Sequence, residues 1–176
     1  YQTKQDGAFI CQNSWGTEFG EDGIFYVSYE DGSIGKNTIC YTDIEDADNY
    51  DHLYQTDLCG WVGNMGYKKE SCWFANVYTA DSTQTLRAVG FYATGPESDY
   101  EIYVATDFKN EMSLVLPKKI QKGHLERKGF YTIDLKKENS IAEGERFAVM
   151  VKINTPGSDY PVAMEYRADD QTANVN

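Results

Sequence analysis

Six side chains could supply a thiol nucleophile or an imidazole base: Cys11, Cys40, Cys59, Cys72, His52 and His124. A thiol attacks as its thiolate, and an imidazole beside it takes up the proton and later returns it to the leaving group. No two cysteines stand at the C-x-x-C spacing of a zinc site. Their irregular spacing, in a chain large enough to build a core, favours separate buried thiols over two disulfides. The acidic run from Asp43 to Asp51 invites comparison with a calcium-binding EF-hand loop. That loop needs a glycine at its sixth position for the sharp turn, and this run has none.

A cysteine–histidine pair also needs a group that breaks no bond. A side-chain amide oxygen accepts a hydrogen bond from the imidazole and fixes its rotation and tautomer. Asn13 opens the stretch N-S-W-G-T-E-F-G-E-D-G-I-F over residues 13–25. It resembles the active-site asparagine segment of papain-like cysteine peptidases, in which N-S-W-G leads into a W-G-x-x-G-Y type continuation. Phe19 stands where a second Trp is common, and Ile24-Phe25 replaces the usual Gly-Tyr. The resemblance implies that Asn13 orients the catalytic histidine and that Trp15 shields the Asn–His bond from water. The competing reading is a surface turn with an exposed Asn and a packed Trp.

The family order along the chain is Cys, His, Asn. Both histidines follow Asn13, so the resemblance places nucleophile and base upstream of Tyr1, and this chain alone carries neither. Ser71-Cys72-Trp73 imitates the surroundings of a papain-type nucleophile. However, it lacks the preceding Cys-Gly and runs into Phe74-Ala75-Asn76-Val77-Tyr78, which reads as strand. A papain-type thiol sits at a helix N-terminus, whose dipole favours the anion. Cys72 is therefore read as structural; the alternative is a permuted peptidase using Cys72 and His124.

Positioning these residues falls to short strands. Ala8-Phe9-Ile10-Cys11 and Ile24 to Tyr29 read as a hairpin around a Gly- and acid-rich loop. Residues 36–57 read as an acidic linker with a short strand over 38–41. From residue 58 onward, period-two alternation recurs: Tyr100 to Thr106, Tyr131/Ile133/Leu135, and Phe147/Val149/Val151/Ile153 opposite Ala148/Met150/Lys152. Turn signals fall at Gly95-Pro96, Gly129, Gly144 and Pro156-Gly157. No long amphipathic helix is apparent. The expected fold is mainly β: a hairpin from a papain-like domain over residues 1–35, the linker, and an antiparallel β-sandwich of jelly-roll or lectin-like type over 58–176.

The second part also resembles a known domain. Asn49 to Tyr54, Gly60-Trp61, Ala75 to Ala80, Leu86 to Tyr92, Tyr100 to Val104, Gly144 to Val149 and Thr155 to Val162 are similar to the lectin-like domain that follows papain-type catalytic domains in bacterial surface proteins. A lectin-like fold does not establish sugar binding; sugar sites combine an exposed aromatic platform with amide and carboxylate partners, which makes Trp61, Tyr67 and Trp73 the candidates, supported by Asn64 and Asn76. Packing in the core is the alternative for each aromatic. The resemblance requires no cofactor and allows calcium, with Asp99, Asp107, Asp159 and Glu165 near strand ends as carboxylates whose spacing is not diagnostic.

Composition sets the outer limits. The 176 residues are 41% hydrophobic, 25% charged and 14% aromatic, an ordinary globular balance rich in β-forming rings. A net charge of −12 repels phosphate backbones, which excludes nucleic acid as a partner. No apolar run reaches about 18 residues, so no segment reads as a membrane span. The chain opens at Tyr1 without Met or a signal peptide and stops in a polar stretch, so it is read as part of a longer protein. The expectation is the C-terminal part of a secreted or cell-surface bacterial cysteine peptidase. Its partners would be the upstream catalytic domain, a protein or peptide substrate and cell-wall glycan. The alternative is a carbohydrate- or cell-wall-docking module without catalysis of its own. A catalytic half lying upstream would also leave the hairpin's apolar face without its partner.

Overall fold

The structure is a computed structural model that describes residues 6–35, 38–115 and 118–166. It divides into two compact units, Tyr1–Asp51 and His52–Asn176.

In the first unit, strands β1 (Ala8–Gln12) and β2 (Ile24–Ser28) pair antiparallel, from Ala8 opposite Ser28 to Gln12 opposite Ile24. Both are rich in apolar and aromatic residues, which favour the extended backbone. The loop between them is tied by its own backbone. Asn13 N–H donates to the Gly23 carbonyl at 2.9 Å, Gly23 N–H to that of Phe19 at 3.0 Å, and Glu21 and Ile24 exchange bonds of 2.8 and 2.9 Å. Gly20 holds φ +72°, and a Cβ there would lie 2.2 Å from the Ile24 carbonyl oxygen, so only glycine fits. No strand forms over 38–41; that segment has no ladder partner. Phe9, Ile10, Tyr26 and Tyr29 are all exposed on this hairpin.

The second unit is built of strands β3 (Gly63–Met65), β4 (Ser71–Thr79), β5 (Gln84–Ala93), β6 (Ser98–Ala105), β7 (Lys118–Leu125), β8 (Gly129–Ile141), β9 (Arg146–Asn154) and β10 (Val162–Met164). The only helical element among the described residues is a 3-10 turn, Glu111–Leu114, capped by Asn110. A four-stranded sheet runs in the order β4-β9-β6-β7, a two-stranded sheet joins β5 to β8, and β3 pairs with β10. Every pairing is antiparallel. The mainly β, antiparallel architecture expected from the alternation is the one observed.

The core lies between the four-stranded and two-stranded sheets. Val89, Phe91 and Ala93 of β5 meet Cys72 of β4, Tyr100 and Ile102 of β6, and Val151 and Ile153 of β9, with Tyr131, Ile133 and Leu135 of β8 packed against them. A smaller cluster joins Ala80, Ile141 and Phe147, with Tyr54 and Tyr78 against it. The alternation in β9 overstates its contrast. Ala148 and Met150, on the face expected to be wet, are also buried. Strand β9 runs between β4 and β6, and its neighbour Ala105, opposite Ala148, is buried as well.

All four cysteines are unpaired, and only Cys72 is buried. Cys40 and Cys59 are exposed, against the expectation of buried thiols. A lone sulfur on a polar segment has no core to enter.

Candidate functional site

Asn13 follows directly on β1, at the mouth of the glycine loop. Its Oδ1 accepts the Trp15 N–H at 2.8 Å and its Nδ2 donates to the Phe19 carbonyl at 3.3 Å. Both ends of the amide are thus engaged and its orientation is set, while Oδ1 keeps a second lone pair. Trp15 stands edge-on to Phe19 at 5.3 Å, and Phe19 edge-on to Phe25 at 5.6 Å. Trp15 is nonetheless 77% exposed. The loop therefore presents an oriented amide beside an uncovered indole.

Of the other candidates, Trp61 and Asn64 are brought together. Trp61 Nε1–H donates to Asn64 Oδ1 at 2.7 Å, and Asn64 Nδ2 donates to the Tyr160 carbonyl at 3.2 Å. The Trp61 ring leans on Tyr92 at 5.8 Å, and Gly60 leaves room for the Tyr92 hydroxyl. These bonds tie Trp61 and Asn64 to each other and to the Tyr160 carbonyl beside the β3–β10 ribbon, and Asn64 keeps a second lone pair and a second N–H. Tyr67, between β3 and β4, is 77% exposed.

Trp73 belongs to a different arrangement. On β4 it points away from the core side taken by its neighbours Cys72 and Phe74. Its ring lies 4.9 Å from that of Tyr103, and the Lys152 ammonium sits over the indole at 5.8 Å. The Tyr103 hydroxyl donates to Glu101, which also accepts from Lys119 at 3.2 Å. The Tyr103 bond, aided by Lys119, holds the Glu101 carboxyl below its ordinary value, and the same carboxylate pushes the Tyr103 phenol up. Residue type alone gave no signal for Tyr103, Glu101 or Lys152 as neighbours of Trp73. The strand register supplies it: Lys152 stands opposite both Trp73 and Glu101.

The histidines fall into two further clusters. His52 Nδ1 is 3.3 Å from Asp81, and its Nε2 is 3.2 Å from Ser82 Oγ. The serine, imidazole and carboxylate thus stand in the order of a hydrolytic triad. Asp81 and Ser82 are sequence neighbours, however, and the His52 and Asp81 side chains are 37% and 61% exposed. So open a position neither excludes water nor encloses an oxyanion. Tyr54 takes up the other Asp81 oxygen at 2.9 Å and, before any other cause, lowers the acid's pKa. The arrangement works as a polar clasp holding Tyr54 against Phe147 and Tyr78.

His124 binds Asp99 through Nδ1 at 2.9 Å and Glu97 through Nε2 at 3.3 Å. The Asp99 hydrogen bond raises the imidazole's pKa. Cys72 faces the core while His124 is exposed and paired with carboxylates, so the two do not form a catalytic couple. The alternative of a permuted peptidase is set aside on that ground.

Of the four carboxylates considered for calcium, Asp99 bonds His124, Asp107 pairs with Lys109 at 3.0 Å, and Glu165 accepts the Cys59 N–H at 3.0 Å through Oε2, while its Oε1 is buried without a hydrogen-bond partner. Among the described residues, no group of three His, Cys, Asp or Glu side chains stands together. No described helix is long and apolar enough to cross a membrane.

The packing defines a β-sandwich of two antiparallel sheets, with a short hairpin unit ahead of it. A family profile described as "Lectin like domain" matches residues 53–176, and the chain belongs to that family. Two solved structures share the fold. One is a clostridial cysteine protease, a variant of Cwp84 after propeptide cleavage, with a TM-score of 0.73 and 21% identity, covering 96% of this chain and 42% of that one. The other is described as the cysteine protease and lectin-like domains of Cwp84, a surface layer associated protein of Clostridium difficile. It has a TM-score of 0.69 and 21% identity, covering 95% of this chain and 37% of that one. The chain therefore spans well under half of the proteins it resembles. Comparison with curated proteins finds no match.

Proposed function

We propose that the chain is the C-terminal part of a papain-like cysteine peptidase of the bacterial cell surface, with its lectin-like domain attached. Residues 1–35 would complete the catalytic domain, and Asn13 would be a positioning residue for an upstream histidine. The observation that carries this reading is the Asn13 amide, held at both ends within the N-S-W-G loop at the end of β1. An amide so fixed can hold an imidazole in one tautomer without reorganising. Trp15, uncovered beside it, would pack over that bond once the histidine is in place.

The test uses the complete reading frame. An active-site thiol probe labels the full-length protein and leaves this chain unlabelled. In the full-length enzyme, Asn13→Ala lowers kcat by on the order of 10²-fold through misplacement of the base, with little change in KM. It also shifts the acidic limb of the pH–rate profile. A complete frame without an upstream Cys and His removes the peptidase reading.

A second reading, favoured by the Trp73–Tyr103 pair on an open sheet face, makes the β-unit a glycan-docking module. The family name describes a fold, and a fold does not by itself assign a ligand.

A further inference from the structure

Charge is unevenly placed along the chain. Residues 1–51 hold eleven acidic and two basic side chains. Residues 118–137, which form β7 and the start of β8, hold seven basic and two acidic ones. In a protein of net charge −12, this stretch, which spans an edge strand of one sheet and a strand of the other, carries a local excess of positive charge.

The aromatic pair lies on the sheet that includes β7. The register aligns Trp73 of β4 with Lys152 of β9, Lys152 with Glu101 of β6, and Glu101 with Lys122 of β7. One row thus crosses all four strands, about 14 Å at the usual strand spacing. Beside it, Tyr103 extends the ring surface of Trp73, and Lys119 stands opposite Tyr103. Trp73 is 46% exposed. Glu101 is occupied by Tyr103 and Lys119, so it fixes their geometry. Lys122 forms no ion pair among the described residues, and the Lys152 ammonium stands over the Trp73 indole at 5.8 Å, with its charge also acting on Glu101.

We infer that this row is a binding surface for a carboxylated saccharide, a uronate-bearing glycan. The inference rests on the glycan-docking reading above and names the ligand class and the site. A pyranose face stacks on an indole and a phenol ring because both surfaces are apolar on their flat sides and polar at their edges. A sugar carboxylate sits on the ring itself, so one residue can stack on Trp73 and meet Lys152 directly opposite. A flexible chain of phosphodiesters offers the charge without the ring face. Trp61 and Asn64 are not part of this row: Asn64 lies on the separate β3–β10 ribbon and Trp61 leans on Tyr92 of β5.

The test is calorimetric titration of the whole chain with oligogalacturonate and with a neutral cello-oligosaccharide of equal length. Saturable binding of the acidic sugar is expected, at least tenfold tighter than the neutral one and weakening as salt rises. Trp73→Ala and Lys152→Gln each weaken it tenfold or more, whereas Trp73→Phe retains most of it and Trp61→Ala leaves it unchanged. Thermal melts confirm that each variant is folded. Equal binding of both sugars, indifferent to Lys152→Gln, overturns the carboxylate requirement and leaves the glycan reading intact. Binding that survives Trp73→Ala overturns the site. Binding of neither sugar overturns the inference, and a glycan array without hits removes the docking reading with it.

Discussion

His124 is tied to two carboxylates on an exposed strand end, and the consequence can be read in solution. Its pKa in the folded chain is raised, chiefly by the Asp99 hydrogen bond and then by the charges of Asp99 and Glu97. The unfolded imidazole titrates near 6.5. A raised folded value means that the stabilisation is complete below about pH 6.5 and is lost as pH rises through the folded pKa. A proton NMR titration should therefore place His124 above that reference. His124→Gln should flatten the fall of melting temperature across the same window. Asp81 follows the opposite sign. Its carboxyl is lowered first by the Tyr54 hydroxyl and then by His52, so its contribution is lost as pH falls. In Tyr54→Phe the carboxyl should titrate closer to the ordinary aspartate value, measured by carboxyl-carbon NMR.

At the scale of elements, stability rests on the strands between the two sheets. Phe147 is 1% exposed and meets the rings of Tyr54 and Tyr78. Phe147→Ala should cost about 3–5 kcal/mol in chemical denaturation. Gly20→Ala in the hairpin loop forces a side chain into left-handed backbone at a cost of roughly 1–2 kcal/mol, before its clash with the Ile24 carbonyl is counted. Its effect should appear as loss of dispersion in the β1–β2 amide signals while the β-sandwich signals stay in place.

These elements were legible in the sequence to different depths. Strands β6 and β9 follow from alternating apolar residues, and β1 and β2 from short runs of β-forming ones, because both signals are local properties of the chain. The burial of Ala148 and Met150 was not legible, since it depends on where β9 lies in the sheet. Nor were the clasp of Tyr54, His52, Asp81 and Ser82 or the row from Trp73 to Lys122. The clasp joins two non-strand segments and the row joins strands through their register, and no spacing rule encodes either. Asn13 was singled out by the resemblance of the N-S-W-G stretch, and the bonds that hold its amide are local, to Trp15 and Phe19.

The whole molecule is a large β-unit with a shared core and a smaller hairpin unit whose apolar side chains remain exposed. Exchange protection follows buried, hydrogen-bonded backbone. Amides of β1 and β2 should exchange many-fold faster than those of β6 and β9 in native-state hydrogen exchange. Equal protection in the two sets would mean that the hairpin is as firmly packed as the sandwich. The charge asymmetry also acts at this scale. The first unit is acidic and the stretch through β7 into β8 is rich in lysine, a contrast along the chain that its net charge conceals.

Strand β7 forms one border of the four-stranded sheet, and an open border offers unsatisfied amides and carbonyls to any passing strand. Its pairing with β6 slips by one residue between Ile102 and Tyr103, and Lys118, Lys119 and Lys122 project from it. A kinked, ammonium-studded margin is hard for another copy to extend into a continuous ribbon. Neutralising those lysines should therefore make concentrated solutions scatter more light even where the fold is untouched.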